Sequence, residues 1–122
     1  MIVNVCFGTN NLARGAKFYD AIAAELGLVR YMDTGKAIGW RHPTMGIGLA
    51  ITQPFDGKPA TVGNGVMATI GSKDRAQVDK VYALALANGG TDEGPPGVRA
   101  NGFYAAYFRD PDGNKLNTFA AS

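Results

Sequence analysis

The sequence predicts an α+β domain built from two βαβββ units in tandem. Three observations carry this reading. A strand-like opening segment runs into a capped amphipathic helix, the same order of events returns 63 residues later, and a short Gly/Pro-containing stretch separates the copies. A chain of 122 residues suits one such domain spanning 1–122, with repeats of about 1–56 and 64–122 and a linker at 57–63.

The opening segment Ile2–Gly8 alternates as a strand does, with Val3, Val5 and Phe7 on one face and Asn4 and Cys6 on the other. Asn11 is placed to cap a helix, since its side-chain oxygen can accept a bond from an amide the helix leaves unpaired. Leu12, Ala16, Tyr19, Ile22 and Leu26 follow at helical spacing, and Gly27 supplies the stop. Strands are expected around 28–32, 36–41 and 45–52, set apart by Gly35, Pro43 and Pro54.

The second copy opens near Gly65. Val66, Ala68 and Ile70 form the apolar face of a strand, with Met67 and Thr69 opposite. Asp74 is the N-cap candidate, and Val78, Tyr82, Ala85 and Leu86 give the helical stripe before Gly89 and Gly90. Strands are expected around 103–109 and 115–119, joined by the tight turn Asp110-Pro111-Asp112-Gly113-Asn114. The stretch from Asp92 to Arg99 reads as a Gly/Pro-rich loop over the mouth of a cavity. One offset, 67 − 4 = 63, pairs Asn4 with Met67, Gly8 with Gly71, Asn11 with Asp74 and Gly27 with Gly90.

The strand faces predict the layering. Val3, Val5, Phe7, Ile47, Leu49, Ile51, Val66, Ala68, Ile70 and Leu116 belong on the side covered by helices. The other face carries Asn4, Cys6, Gly48, Ala50, Thr52, Met67, Thr69, Asn117 and Phe119, a mixture suited to lining a cavity, or else to simple solvation.

Composition narrows the function. The formal charge is +2 and the Lys and Arg residues are scattered, so the clustered basic face of a nucleic-acid binder is missing. No apolar run reaches the length of a membrane span. The single cysteine forbids an internal disulfide, and Met1 leads straight into a strand-like segment without a signal-peptide pattern. A cytoplasmic protein with no membrane or nucleic-acid partner is expected.

The segment Ile2-Val3-Asn4-Val5-Cys6-Phe7-Gly8, the helical Lys17-Phe18-Tyr19, Asp74-Arg75, and the hairpin Tyr107-Phe108-Arg109-Asp110-Pro111-Asp112-Gly113-Asn114 together resemble the vicinal oxygen chelate superfamily of glyoxalases, bleomycin-resistance proteins and extradiol dioxygenases. The resemblance covers nearly the whole chain and implies a glyoxalase-like fold: curved mixed sheets around a cavity, helices on the outer face, and pairing as a homodimer. In metal-dependent members, one ligand stands on the first and one on the last strand of each half. Carried onto this chain, those positions are Asn4, Ala50, Met67 and Asn117. An amide, a methyl, a thioether and another amide are a poor donor set for a divalent cation. The sole histidine, His42, cannot build a two-histidine site.

No metal and no cofactor is therefore predicted. The chain reads as a metal-independent binder of a small organic ligand. The alternative is a lyase, dioxygenase or resistance enzyme with a non-standard or absent metal site. The binding residues expected are Asn4, Cys6, Trp40, Ala50, Met67, Tyr104 and Asn117. The asparagines would orient the ligand, and the aromatics would stack on it unless they belong to the core. Cys6 is as well suited to be a small buried hydrophobe, and His42 to be a surface residue.

Overall fold

The computed structural model describes residues 1–121. The first half consists of β1 (Asn4–Gly8), α1 (Leu12–Leu26), β2 (Val29–Asp33), β3 (Ala37–Arg41) and β4 (Gly48–Thr52). The second repeats the order with β5 (Ala68–Gly71), α2 (Arg75–Ala87), β6 (Thr91–Val98), β7 (Tyr104–Arg109) and β8 (Lys115–Ala120). Each half forms a separate four-stranded sheet, ordered β1-β4-β3-β2 and β5-β8-β7-β6, and neither closes into a barrel. β1 runs parallel to β4 and β5 parallel to β8, while the remaining neighbours are antiparallel, so both sheets are mixed.

The helices begin where the caps predict. The Asn11 side chain accepts from the Arg14 amide at 3.0 Å, and Asp74 accepts from Gln77 at 2.9 Å. Each such cap stabilises its helix by about 1 kcal/mol. The helix ends differ by one residue from the constant offset. Gly27 stops α1 in the left-handed conformation at φ 75°, and in α2 that role falls to Gly89 at φ 96°. Gly90 instead sends its amide to Ala85, as Leu28 does to Ala23. The pairing of Gly27 with Gly90 is thus corrected to Gly27 with Gly89, an offset of 89 − 27 = 62.

Both helices cover the same side of the molecule. Phe18, Tyr19 and Ile22 of α1 and Val81 and Ala85 of α2 join Phe7, Ile38, Trp40, Leu49, Ile51, Phe108 and Leu116 in one core shared by the two halves. The aromatic packing crosses between halves where Phe18 lies 6.2 Å from Phe108 between ring centroids, and within the first half Tyr19 lies 5.6 Å from Trp40. The helices are tied to each other where Gln77 donates to the Glu25 carbonyl and Lys80 pairs with Glu25 at 3.2 Å.

Two expectations change. The stretch from Asp92 to Arg99 is mostly strand, not loop: β6 pairs with β7 through irregular register at Gly94 and Gly97. Its prolines, Pro95 and Pro96, are tolerated because β6 is an edge strand with no ladder to supply on its outer side. Val3, Ile47 and Val66 share the parity of the core positions but stand 58%, 40% and 60% exposed. They lie just before the starts of β1, β4 and β5, beyond the cover of the helices.

Candidate functional site

Strand register defines the face turned away from the helices. In the first sheet Asn4 is level with Gly48, and Cys6 with Ala50 and in turn Gly39. In the second, Thr69 is level with Asn117 and Tyr107, and Lys115 with Arg109. Ala50 and Asn117 therefore occupy equivalent places, each beside the first strand of its half.

Asn4 and Cys6 are exposed on this face. Partial burial pushes the Cys6 thiol up, away from the thiolate that a nucleophile needs. Ala50 is buried, and its neighbour Gly39 lies beneath the Tyr31 ring, which would touch a side chain placed there. Asn117 is buried too, with its Oδ1 accepting from Thr69 Oγ1 at 2.7 Å. Met67 is 41% exposed and precedes β5 by one residue.

Two of the expected binding residues sit on the other side. Trp40 is 1% exposed in the shared core, where its indole N–H donates to Asp20 at 2.8 Å. Its parity along β3 matches Ile38, not Gly39, so it packs under α1. The Arg30 hydrogen bond, aided by this indole, holds the Asp20 carboxyl below its ordinary range. Tyr104 packs with Val78, Ala106 and Ala120 beneath α2 and donates to Asp79 at 2.6 Å. Both are corrected from cavity wall to the helix-covered layer.

Among the described residues, hollows open at these three places. One of about 430 Å³ lies between the edge strands β1 and β5, lined by Val3, Asn4, Leu28, His42, Ile70 and Gln77 among others. In it, the His42 Nδ1 accepts from the amides of Thr44 and Met45, which fixes the ring within the β3–β4 hairpin. A second, also about 430 Å³, is formed by residues 62–66 together with Met67, Arg109 and Lys115. A third of about 600 Å³ lies at the end of the first sheet, near Thr9, Lys36, Phe55 and Lys58. Asn4 borders the first and Met67 the second, so none of the three gathers the four positions of the expected ligand set.

Arg109 and Lys115 went unnoticed as site residues in the sequence, although simple alternation back from Asn117 places Lys115 on the open face. Arg109 donates through Nε to Glu93 at 2.7 Å and through Nη1 to the Gly113 carbonyl at 2.9 Å. This contact holds the Glu93 carboxyl below its ordinary range. Tyr107 lies between cations, with the Arg99 guanidinium 5.4 Å and the Lys115 ammonium 5.8 Å from its ring centroid.

The paired βαβββ architecture and its open sheet faces define a class, and comparison with known proteins identifies it. The model of the Glyoxalase/Bleomycin resistance protein/Dioxygenase superfamily matches residues 2–118, so the chain belongs to that superfamily. A glyoxalase/bleomycin resistance protein from Albidiferax ferrireducens is 39% identical with a TM-score of 0.89, covering 98% of this chain and 97% of its own. A glyoxalase/bleomycin resistance protein/dioxygenase family enzyme from Burkholderia phytofirmans shares the fold at 17% identity and TM-score 0.78, covering 98% of each chain. A lactoylglutathione lyase from Agrobacterium tumefaciens does so at 20% identity and TM-score 0.67, covering 98% of this chain and 92% of its own. No curated protein matches the chain. Among the described residues no helix is long and apolar enough to cross a membrane.

The residues that the resemblance places at metal-ligand positions do not fit a divalent cation. Asn117 already uses its carbonyl oxygen to accept from Thr69, Ala50 offers no donor, and Met67 offers only a thioether. Among the described residues no three His, Cys, Asp or Glu side chains are grouped to replace them.

Proposed function

We propose that this chain binds a small organic molecule on its open sheet faces without a metal, as a homodimer. The donor set carries the reading: the four positions where the family resemblance puts metal ligands are Asn4, Ala50, Met67 and Asn117, and among the described residues no ligand cluster stands to substitute for them. The relative from Albidiferax ferrireducens, described as a glyoxalase/bleomycin resistance protein, is in keeping with a binding role. The dimer rests on two edge strands, β1 and β5, that lack a second neighbour and are flanked by exposed Ile2, Val3, Met45, Ile47, Val66 and Met67.

A thermal-shift screen of small aromatic and aliphatic compounds, run with and without EDTA, tests the binding. A true ligand at a hundred times its Kd should raise Tm by roughly 8–15 °C, equally in both arms. Stoichiometric zinc, nickel, iron or manganese in protein purified without added metal, together with loss of binding in EDTA, would overturn the reading.

A further inference from the structure

We infer that the hollow beside Met67 is an oxyanion subsite, taking the carboxylate or phosphate of the small molecule bound on the open face. The inference rests on the binding role proposed above and specifies the ligand's charge.

Arg109 and Lys115 are neighbours across the β7–β8 pair, and both line this hollow of about 430 Å³. Only one carboxylate answers them. Glu93 takes the Nε of Arg109, and among the described residues Lys115 has no ion pair at all, only the Tyr107 ring 5.8 Å away. The group of three therefore carries a net positive charge, and Lys115 is half-buried rather than extended into water. Arg109 is held in place by Glu93 and the Gly113 carbonyl, so its guanidinium is fixed before any ligand arrives.

The opposite wall is the segment Val62-Gly63-Asn64-Gly65-Val66. Gly65 adopts φ 95°, a conformation that favours glycine, and the Val62 side chain sits against the β7–β8 turn at Gly113. Among the described residues, the amides of Asn64, Gly65 and Val66 and the Asn64 side chain take no hydrogen bond within the chain. Two neighbouring cations beside a segment whose amides are free to donate suit an oxyanion, whose oxygens accept several bonds at once. The Tyr107–Asn117 pair stands two residues along the strands from Arg109 and Lys115, so a ligand anchored in the hollow and long enough to span that step would reach toward the position equivalent to Ala50.

The probes are inorganic phosphate and acetate, titrated separately into ¹⁵N-labelled protein at constant ionic strength and pH 7. Saturable shifts confined to Asn64, Gly65, Val66, Arg109 and Lys115 are expected. The Lys115→Gln variant should bind about tenfold more weakly or worse, and Lys115→Arg should restore binding. Tighter phosphate assigns a phosphorylated ligand, and tighter acetate a carboxylic acid. The subsite fails if Lys115→Gln binds as the parent does, if no saturable shift occurs at these amides, or if the shifts are matched around Lys36 and Lys58 as on any basic surface. Such a failure is separable from failure of the binding role. Neutral compounds that still raise Tm leave that role standing, while the anion titration needs no organic ligand.

Discussion

Asp110 is 3% exposed, yet it organises the β7–β8 turn. Its carboxylate accepts from the Tyr19 hydroxyl at 2.7 Å, from the Asp112 and Asn114 amides at 2.9 Å each, and from the Asn114 side chain at 2.8 Å. Burial pushes this carboxyl above its ordinary value, with the bonds from Asn114 and Tyr19 pulling part of the way back. A raised folded-state value means the folded chain holds the proton more tightly than the unfolded one. Asp110 therefore contributes most below the ordinary carboxylate pKa and loses that contribution as pH rises through the raised value. In urea melts across the mildly acidic range, the stability advantage of the native chain over Asp110→Asn should shrink as pH increases, and a gap that widens instead would refute this sign. Tyr19→Phe should cost about 1–3 kcal/mol at neutral pH, since it strips a buried carboxylate of one donor. The turn was legible from Asp-Pro-Asp-Gly-Asn alone. Its partner Tyr19 was not, because local spacing says nothing about a contact 91 residues distant.

Among the elements, the β3–β4 pair is the least forgiving. A Cβ on Gly48 would fall 1.9 Å from the Trp40 carbonyl oxygen and 2.7 Å from the Arg41 Cα, both backbone atoms of the paired strand. Gly48→Ala should destabilise by about 3 kcal/mol or more, with Gly71→Ala, where nothing lies within 4 Å, as the near-neutral control. Equal denaturation midpoints for the two variants would contradict the packing. Helix starts were the most readable elements, because Asn11 and Asp74 each announce themselves by one side chain and one amide. β6 was hidden because Gly94, Pro95, Pro96 and Gly97 carry the signature of a loop, and only an edge position lets such residues remain a strand. Trp40 and Tyr104 were misplaced for a related reason. Aromatic rings suit a ligand cavity and a core equally well, and strand parity, fixed only by the pairing register, decides between them.

At the scale of the molecule, the two sheets stand side by side without hydrogen bonds between β1 and β5. If a second copy covers these edges, Val3→Lys should turn a dimer into a folded monomer, because an outward charge blocks edge pairing and Val3 supports no core. Sedimentation measures the mass, and an unchanged dimer in the variant would place the interface elsewhere. The halves are bound by more than their linker. Thr9 and Arg14 both reach Asp112 at 2.6 and 2.7 Å, and Asn114 donates to the Gly8 carbonyl at 3.0 Å. The duplicated unit has thereby given up its autonomy. With Phe18 seated against Phe108, a solitary repeat would bare the aromatic seam its sibling normally hides, so damage to either copy should be felt by both and a single melting transition is expected.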